Sequence, residues 1–297
     1  MSHCLLVQKN SPVWRNFAQT LARQLEADVL LDVRQWKQKW KELDYRFLTI
    51  LGDQVELFHA GRYRFFSDFR YSDPNEDGIP EVIVSRCPLP LYFSASSPTK
   101  RLCFYTSRPP NSEWVAPLLQ RGYTLSVVLH HTVEPLNEAN IIIHFNGHGD
   151  EHSWRSNTET GSQILLTASD VQPISLSNHP FVFSGVCITA SPRSQMLRAF
   201  LQAGAAAYLG FSGPLFGVPK AKEHPGLLMD LKIFENMGVA ETTGELLFKT
   251  QNEFIEEERL ASLLQHIHHS TTLLPQKMKS VMTVMEFLLF GSSVSPL

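Results

Sequence analysis

The chain has 297 residues and a formal net charge of −3, and its composition of 43% hydrophobic and 19% charged residues is that of an ordinary globular protein. This charge gives no electrostatic reason to bind nucleic acid or an anionic membrane, and no apolar stretch approaches the roughly 20 residues of a membrane helix. We therefore predict neither a nucleic-acid partner nor a membrane.

The first part of the chain alternates between strand and helix patterns. Apolar runs predict strands at residues 5–7, 29–33, 46–51 and 81–86, and helical spacing predicts helices at residues 16–27 and 36–43. Prolines and serines between residues 88 and 98 then indicate a boundary. We predict an N-terminal α/β subdomain of residues 1–98, followed by a second subdomain of residues 99–297.

The second part repeats this alternation. Strands are predicted at residues 102–105, 125–129 and 205–210, and helices at residues 114–121, 225–237, 243–266 and 278–289. A further helix is predicted from its end signals, with Ser191 as the cap, Pro192 at the first position and Gly204 as the stop. The alternation predicts an α/β fold with a mostly parallel central sheet flanked by helices.

Two further predicted strands, at residues 141–145 and 181–184, each lead into a reactive side chain. The first is followed by His148 and Gly149, and the second by Cys187. A parallel sheet places its chemistry at the carboxyl ends of its strands, and a thiol beside an imidazole is the minimum equipment of a cysteine peptidase. The N–H groups of Gly149 and Cys187 would hold the oxyanion, and the helix predicted from Ser191 would favour a thiolate. The alternative is that His148 and Cys187 are ordinary strand-end residues.

The remaining cysteines and histidines are weaker candidates. The four cysteines are scattered without zinc spacing, and the first residues do not resemble a signal peptide, so we expect free thiols and a cytoplasmic location. His144 lies within its strand and is predicted to be a hydrogen-bonded core residue. His266, His268 and His269 have no obvious carboxylate or cysteine partner with which to bind a metal.

Residues 73–84 resemble the front half of a calcium loop. Asp73, Asn75 and Asp77 place oxygen ligands at alternate positions, but the twelfth position is not acidic, so Glu81 would have to complete the site. The alternative is a metal-free turn rich in Asx residues. We expect no cofactor to be required for the chemistry, and a structural Ca2+ is one of two interpretations of this loop.

Taken together, these segments resemble the gingipain-type cysteine peptidases, peptidase family C25, of the caspase-like clan. The matching segments are collinear and comprise residues 48–53, 66–86, 146–149, 184–190 and 287–292, together with Trp154. The resemblance implies a caspase-like fold preceded by a smaller α/β subdomain. It also implies Cys187 as the nucleophile, His148 as the general acid and base, and Gly149 in the oxyanion hole.

The chain departs from the family pattern in two places. Ser292 and Ser293 replace a closing Asp-Pro pair. Residues 106–108, Thr-Ser-Arg, follow the strand after which active members carry an acidic residue that orients the histidine. The family's arginine-cleaving members also bind substrate through a carboxylate deep in the pocket, and Glu113, Asp150 and Glu151 are the candidates here.

The leading hypothesis is an intracellular cysteine endopeptidase that acts on a protein or peptide substrate. By analogy with the clan, we expect regulated cleavage of a partner protein and control by a regulatory protein. One alternative is a catalytically inactive pseudopeptidase that serves as a protein-binding module, which the two departures favour. Another is a different acyl transfer on the same dyad, such as peptide ligation.

Overall fold

The computed structural model describes residues 2–8, 11–32, 35–91, 100–158, 161–214, 224–273 and 277–297. The predicted subdomain boundary at residue 98 and the end of the second predicted strand at residue 33 lie outside these ranges. No helix of the described residues is long and apolar enough to cross a membrane.

The described strands and helices follow one another along the whole chain. The strands are β1 (His3–Val7), β2 (Asp28–Leu30), β3 (Phe47–Leu51), β4 (Glu56–Ala60), β5 (Tyr63–Ser67), β6 (Ile83–Cys87), β7 (Arg101–Thr106), β8 (Thr124–Val128), β9 (Ile141–Phe145), β10 (Gly147–Gly149), β11 (Ser153–Thr158), β12 (Gly161–Thr167), β13 (Phe181–Ser184), β14 (Ala207–Phe211) and β15 (Phe287–Gly291). The α-helices are α1 (Pro12–Leu25), α2 (Trp36–Leu43), α3 (Phe69–Ser72), α4 (Ser112–Gln120), α5 (Ala168–Val171), α6 (Gln195–Ala203), α7 (Pro225–Met237), α8 (Thr243–Glu258), α9 (Ala261–Gln265) and α10 (Met278–Met285).

Within the described residues, ten strands form one sheet in the order β2-β1-β3-β6-β15-β14-β13-β9-β7-β8. Neighbouring strands are parallel from β2 to β6 and again from β14 to β8. Strand β15 is antiparallel to β14 and joins β6 through the pair Phe290 and Arg86. The prediction of an α/β fold with a large, mostly parallel central sheet is confirmed.

Alternate residues of the central strands face two different apolar layers, as the two-residue period of a strand requires. Ile143 and Phe183 pack on one face with residues of α4, α7, α8 and α10. Ile142 and Val182 pack on the other face with residues of α5 and α6. Because helices cover both faces, these strands read as continuous apolar runs rather than as alternating patterns.

Several elements differ from those predicted. The hairpin β4–β5 and the three-stranded sheet β10–β11–β12 were not predicted, because their strands mix exposed and buried residues in short runs. The predicted helix at residues 278–289 is α10 followed by β15, and the predicted helix at residues 243–266 is divided where Arg259 adopts a left-handed conformation. A purely apolar run does not distinguish a buried helix from a buried strand.

The order of the strands indicates where a functional site is expected. The chain passes from β7 to β8 at the edge of the sheet and then returns to β9 on the other side of β7. In open α/β sheets, such a reversal leaves a crevice beyond the carboxyl ends of the two strands concerned. The residues that follow β7 and β9 therefore flank the expected position of a functional site.

Candidate active site

His148 lies on a hairpin that rises from the end of β9. Asn146 adopts a left-handed conformation with a φ of 57°, which turns the chain out of the central sheet and into β10. Strand β10 then pairs with β11, and His148 stands directly opposite Arg155. Its side chain is exposed, as an acid–base group that meets substrate must be.

Cys187 lies in a loop that begins where β13 ends. The Thr189 hydroxyl donates to the Ser184 hydroxyl at 2.8 Å, and the Ile188 N–H donates to the Gly213 carbonyl at 2.9 Å. Ile188 has a φ of 61°, a left-handed conformation that is rare for a β-branched residue. The loop thus holds Cys187 partly exposed in a constrained turn.

Gly149 joins the two segments. A Cβ atom at this position would lie 2.5 Å from Val186 Cγ2, 2.6 Å from Thr189 Cγ2 and 3.0 Å from the Cys187 carbonyl oxygen. The residue after His148 is therefore packed directly against the residues on either side of Cys187. Two segments whose reactive residues are 39 positions apart in the sequence therefore lie in contact with each other.

The other three cysteines are sequestered. Burial raises the pKa of the thiols of Cys4, Cys87 and Cys103 to about 12 in each case. The thiolate is the nucleophilic form, so these thiols are unreactive at neutral pH. Of the four free cysteines, only Cys187 is accessible.

His144 is a core residue, as predicted. Its ring stacks on Trp154 with a centroid distance of 4.9 Å, and its Nε2 lies 3.4 Å from the Arg155 carbonyl oxygen. Burial lowers the pKa of His144 to about 3, so its imidazole is neutral at physiological pH. His144 thus supports the base of the hairpin that carries His148.

The predicted substrate-binding carboxylates have local partners. Asp150 accepts hydrogen bonds from the His152 and Ser153 N–H groups at 2.7 and 2.8 Å, which closes the turn between β10 and β11. Glu113 lies exposed in the first turn of α4, where its N–H donates to the Asn111 side chain.

Glu151 connects the hairpin to α6. Its carbonyl oxygen accepts from the N–H groups of Gln195 and Met196, and its side chain accepts from the Ser191 hydroxyl at 3.2 Å. The prediction that a helix begins at Ser191 is wrong, because Ser194 is the cap of α6. The first amides of this helix are occupied by Glu151 and Ser194, so the expected helix stabilisation of a Cys187 thiolate loses its basis.

Two buried carboxyl groups beside the Cys187 loop were not among the predicted site residues. Asp230 on α7 is 3% exposed, and a Cβ atom at Gly185 would lie 2.9 Å from its Oδ1. A Cβ atom at Gly213 would lie closer still to Glu286 Oε2. Burial raises the pKa of both carboxyl groups well above the usual range. Neither Asp230 Oδ1 nor Glu286 Oε2 has a hydrogen-bond partner among the described residues. The position of Asp230 within the apolar pattern of residues 225–237 was the feature of the sequence that could have indicated a buried carboxyl group.

The predicted calcium loop brings three carboxylates together. Oxygen atoms of Asp73, Asp77 and Glu81 lie within 4.8 Å of one another, whereas the Asn75 amide donates to Glu81 at 2.8 Å. Burial and the neighbouring carboxylates Asp73 and Asp77 raise the pKa of Glu81. This is the electrostatic situation that a bound cation relieves, so the donor set fits calcium. One Asp73 oxygen is already shared with His268 Nε2 at 2.8 Å, an imidazole partner that the sequence did not reveal.

Arg86 is buried at the end of residues 66–86, another segment by which the chain resembles the family. Its guanidinium donates to both carboxylate oxygens of Asp68, to the Gln8 side chain and to the Gly52 carbonyl. Arg86, Asp68 and Gly52 belong to segments by which the chain resembles the family, whereas Gln8 does not. Four hydrogen bonds of the buried guanidinium are internal, which indicates a structural role.

Residues 104–292, more than half of the chain, match the family model described as peptidase family C25. No curated protein matches the chain. Among solved structures, a D-isomer specific 2-hydroxyacid dehydrogenase from Lactobacillus delbrueckii ssp. bulgaricus is 8% identical, with a TM-score of 0.25 over 69% of this chain and 78% of that one. A D-lactate dehydrogenase from Sporolactobacillus sp is 9% identical, with a TM-score of 0.26 over 81% and 96% of the two chains. Similarities this low do not establish a shared fold or function.

Proposed function

The chain belongs to peptidase family C25, which makes it a cysteine peptidase by family, and we propose that it is an endopeptidase whose nucleophile is Cys187 and whose acid–base group is His148. The observation that carries this proposal is the contact of Gly149 with the Cys187 loop, which joins the two segments. Cys187 is also the one accessible thiol of the four.

In the proposed mechanism, His148 takes the proton of the Cys187 thiol, and the sulfur attacks the carbonyl carbon of the scissile peptide bond. The backbone N–H groups of Gly149 and Cys187 stabilise the oxyanion. His148 then gives its proton to the leaving amine as the C–N bond breaks, which leaves a thioester on Cys187. Water, deprotonated by His148, hydrolyses the thioester and regenerates the thiol.

We further propose that Asp230 selects a lysine or arginine side chain on the substrate residue that precedes the cleaved bond. Its carboxyl group lies beside Gly185, two residues before the nucleophile, and is buried on α7, whose residues Met229 and Phe234 belong to the apolar core. A buried carboxylate without a partner is unfavourable, and an incoming cation supplies the missing counter-charge.

The fold and setting that fit this function are also proposals. A mostly parallel sheet with a histidine and a cysteine beyond the ends of β9 and β13 supports assignment to the caspase-like clan. Four free thiols support a reducing compartment such as the cytoplasm. Regulated cleavage of a partner protein would suit such a location.

We propose calcium as a structural ion of the Asp73 loop, with no part in the bond-breaking steps. The expected result is a higher melting temperature in 10 mM CaCl2 than in 10 mM MgCl2, because Ca2+ accepts flexible coordination by carboxylates whereas Mg2+ demands a near-ideal octahedron. At a free concentration of 100 times Kd, binding would stabilise the fold by about 2.7 kcal/mol. The Asp77→Asn variant should lose the shift. An equal melting temperature with and without calcium would show that the loop is a metal-free turn.

The function is tested by a cleavage profile on a peptide library with wild type and Cys187→Ala. Wild type should cleave after basic residues, and Cys187→Ala should be inactive. Asp230→Asn should lose the basic preference, whereas the exposed Glu113→Gln variant should keep it. A wild-type protein that cleaves no peptide while it binds a protein target would favour the binding-module alternative. A basic preference that changes with Glu113→Gln instead would reject Asp230 as the selecting residue.

A further inference from the structure

The turn after β7 lies at the base of the hairpin that carries His148. Strand β7 pairs with β9 up to Thr106 and Phe145, so the next residues along the two strands are Ser107 and Asn146. No carboxylate stands at residues 106–108, where the family resemblance would place the group that orients the histidine.

The Ser107 hydroxyl makes two short hydrogen bonds at this place. It donates to the Asn146 carbonyl oxygen at 2.5 Å, and it accepts from the Asn157 N–H at 2.5 Å. Asn146 immediately precedes β10, and Asn157 is part of β11. The hydroxyl therefore connects the start of β10 to the end of β11, at the base of the hairpin.

The register shows how this link relates to the histidine. Gly147 pairs with Ser156, and His148 pairs with Arg155. Asn146 and Asn157 are the next residues along the two chains beyond the paired ones, and the Ser107 hydroxyl lies between the Asn146 carbonyl and the Asn157 N–H. The hydroxyl thus bonds to both chains two residues from the pair of His148 and Arg155.

The other end of the hairpin is anchored separately. The Glu151 carbonyl accepts from the Gln195 and Met196 N–H groups at the start of α6, and α6 follows the Cys187 loop. The hairpin is thus held at its turn by main-chain hydrogen bonds to α6. At its base it is held by the His144 ring, which contacts Trp154 and Arg155, and by the Ser107 hydroxyl, which bonds to both strands.

We propose that Ser107 is the positioning residue for His148 and that it acts through the main chain of the hairpin, not through the imidazole. This inference rests on the proposed peptidase function. It assigns to a neutral hydroxyl the alignment that a carboxylate would otherwise supply. Removing the hydroxyl would leave the Asn146 carbonyl and the Asn157 N–H without their partner and let the hairpin shift relative to Cys187.

The test compares Ser107→Ala with Ser107→Thr, which retains a hydroxyl, and with Ser162→Ala, which removes an exposed serine from β12 of the same small sheet. We expect Ser107→Ala to lower kcat by about 10- to 100-fold with KM changed by less than about twofold, because alignment is lost and binding is kept. Ser107→Thr should recover most of kcat, and Ser162→Ala should match wild type. Melting temperatures identify any variant that simply unfolds.

A second measurement separates this inference from the proposed function. The rate of Cys187 alkylation by iodoacetamide, followed from pH 5 to 9, reports the coupling of thiol and imidazole without any peptide hydrolysis. Ser107→Ala should lose the reactivity at acidic pH that an imidazolium supports, even if wild type proves inactive on peptides. An alkylation profile and a kcat that both match wild type in a folded Ser107→Ala protein would overturn the inference.

Discussion

Arg86 and Asp68 are buried and bound to each other, whereas His148 is exposed and Cys187 partly exposed. Both pairs belong to segments by which the chain resembles its family. In the first pair, hydrogen bonds engage the charged groups, so the pair fixes the fold and has no capacity for chemistry. In the second, backbone contacts hold the loops while the reactive atoms stay accessible. The difference distinguishes a structural motif from a site.

The largest effect should come from breaking the buried pair. Arg86→Met leaves the Asp68 carboxylate buried without its counter-ion and should lower the free energy of unfolding by about 3–5 kcal/mol. The matched control is Arg46→Met, because Arg46 lies 3.6 Å from Glu245 at the surface and such pairs contribute about 1 kcal/mol or less. Urea unfolding measures both. An equal loss of unfolding free energy in the two variants would contradict the structural role of Arg86.

Gly149, between the His148 hairpin and the Cys187 loop, and Gly244, at the start of α8, are both tightly enclosed. A Cβ atom at Gly244 would lie 2.6 Å from Ile83 Cγ2 and from the Ser293 carbonyl, about as close as the contacts at Gly149. Each alanine variant should lose about 1–3 kcal/mol of stability through overpacking. Only Gly149→Ala should also lower kcat/KM per folded molecule, by about tenfold or more, because it separates the His148 hairpin from the Cys187 loop. Activity assays normalised to the folded fraction decide this, and an equal loss of activity in both variants would contradict the account.

The smaller expected effect is a pH dependence that arises from the core beneath the site. The folded protein keeps His144 neutral down to about pH 3, whereas the unfolded chain binds a proton near pH 6.5. The contribution of His144 is therefore complete above pH 6.5 and is lost as the pH falls toward 3. Between pH 7 and pH 5 the loss should be about 2 kcal/mol. His144→Gln should show a correspondingly flatter pH dependence in urea unfolding, and an unchanged slope would show that His144 is not buried as a neutral ring.

Most of the central sheet could be predicted from the sequence, because its strands are buried on both faces and read as apolar runs. The short hairpins could not, since their residues alternate irregularly between exposed and buried positions. Strand β15 was assigned to a helix because the apolar run of α10 continues into it without a break.

The candidate site was likewise only partly predictable from the sequence. His148 and Cys187 could be selected because each follows a buried strand and lies beside or near a glycine. The contacts of Ser107, Glu151 and Asp230 could not be predicted, because they connect residues that are distant in the sequence. Asp73 was selected from its local pattern, but its partner His268, 195 residues away, was not.

The most direct test of the account is reaction with a peptidyl acyloxymethyl ketone, followed by intact-mass and peptide mass spectrometry. The account predicts one adduct per molecule, on Cys187, with Cys4, Cys87 and Cys103 unmodified. His148→Ala should react far more slowly, because the imidazole no longer supports the thiolate. Modification of a different cysteine, or an equal rate in wild type and His148→Ala, would contradict the assignment of Cys187 and His148 as the catalytic pair.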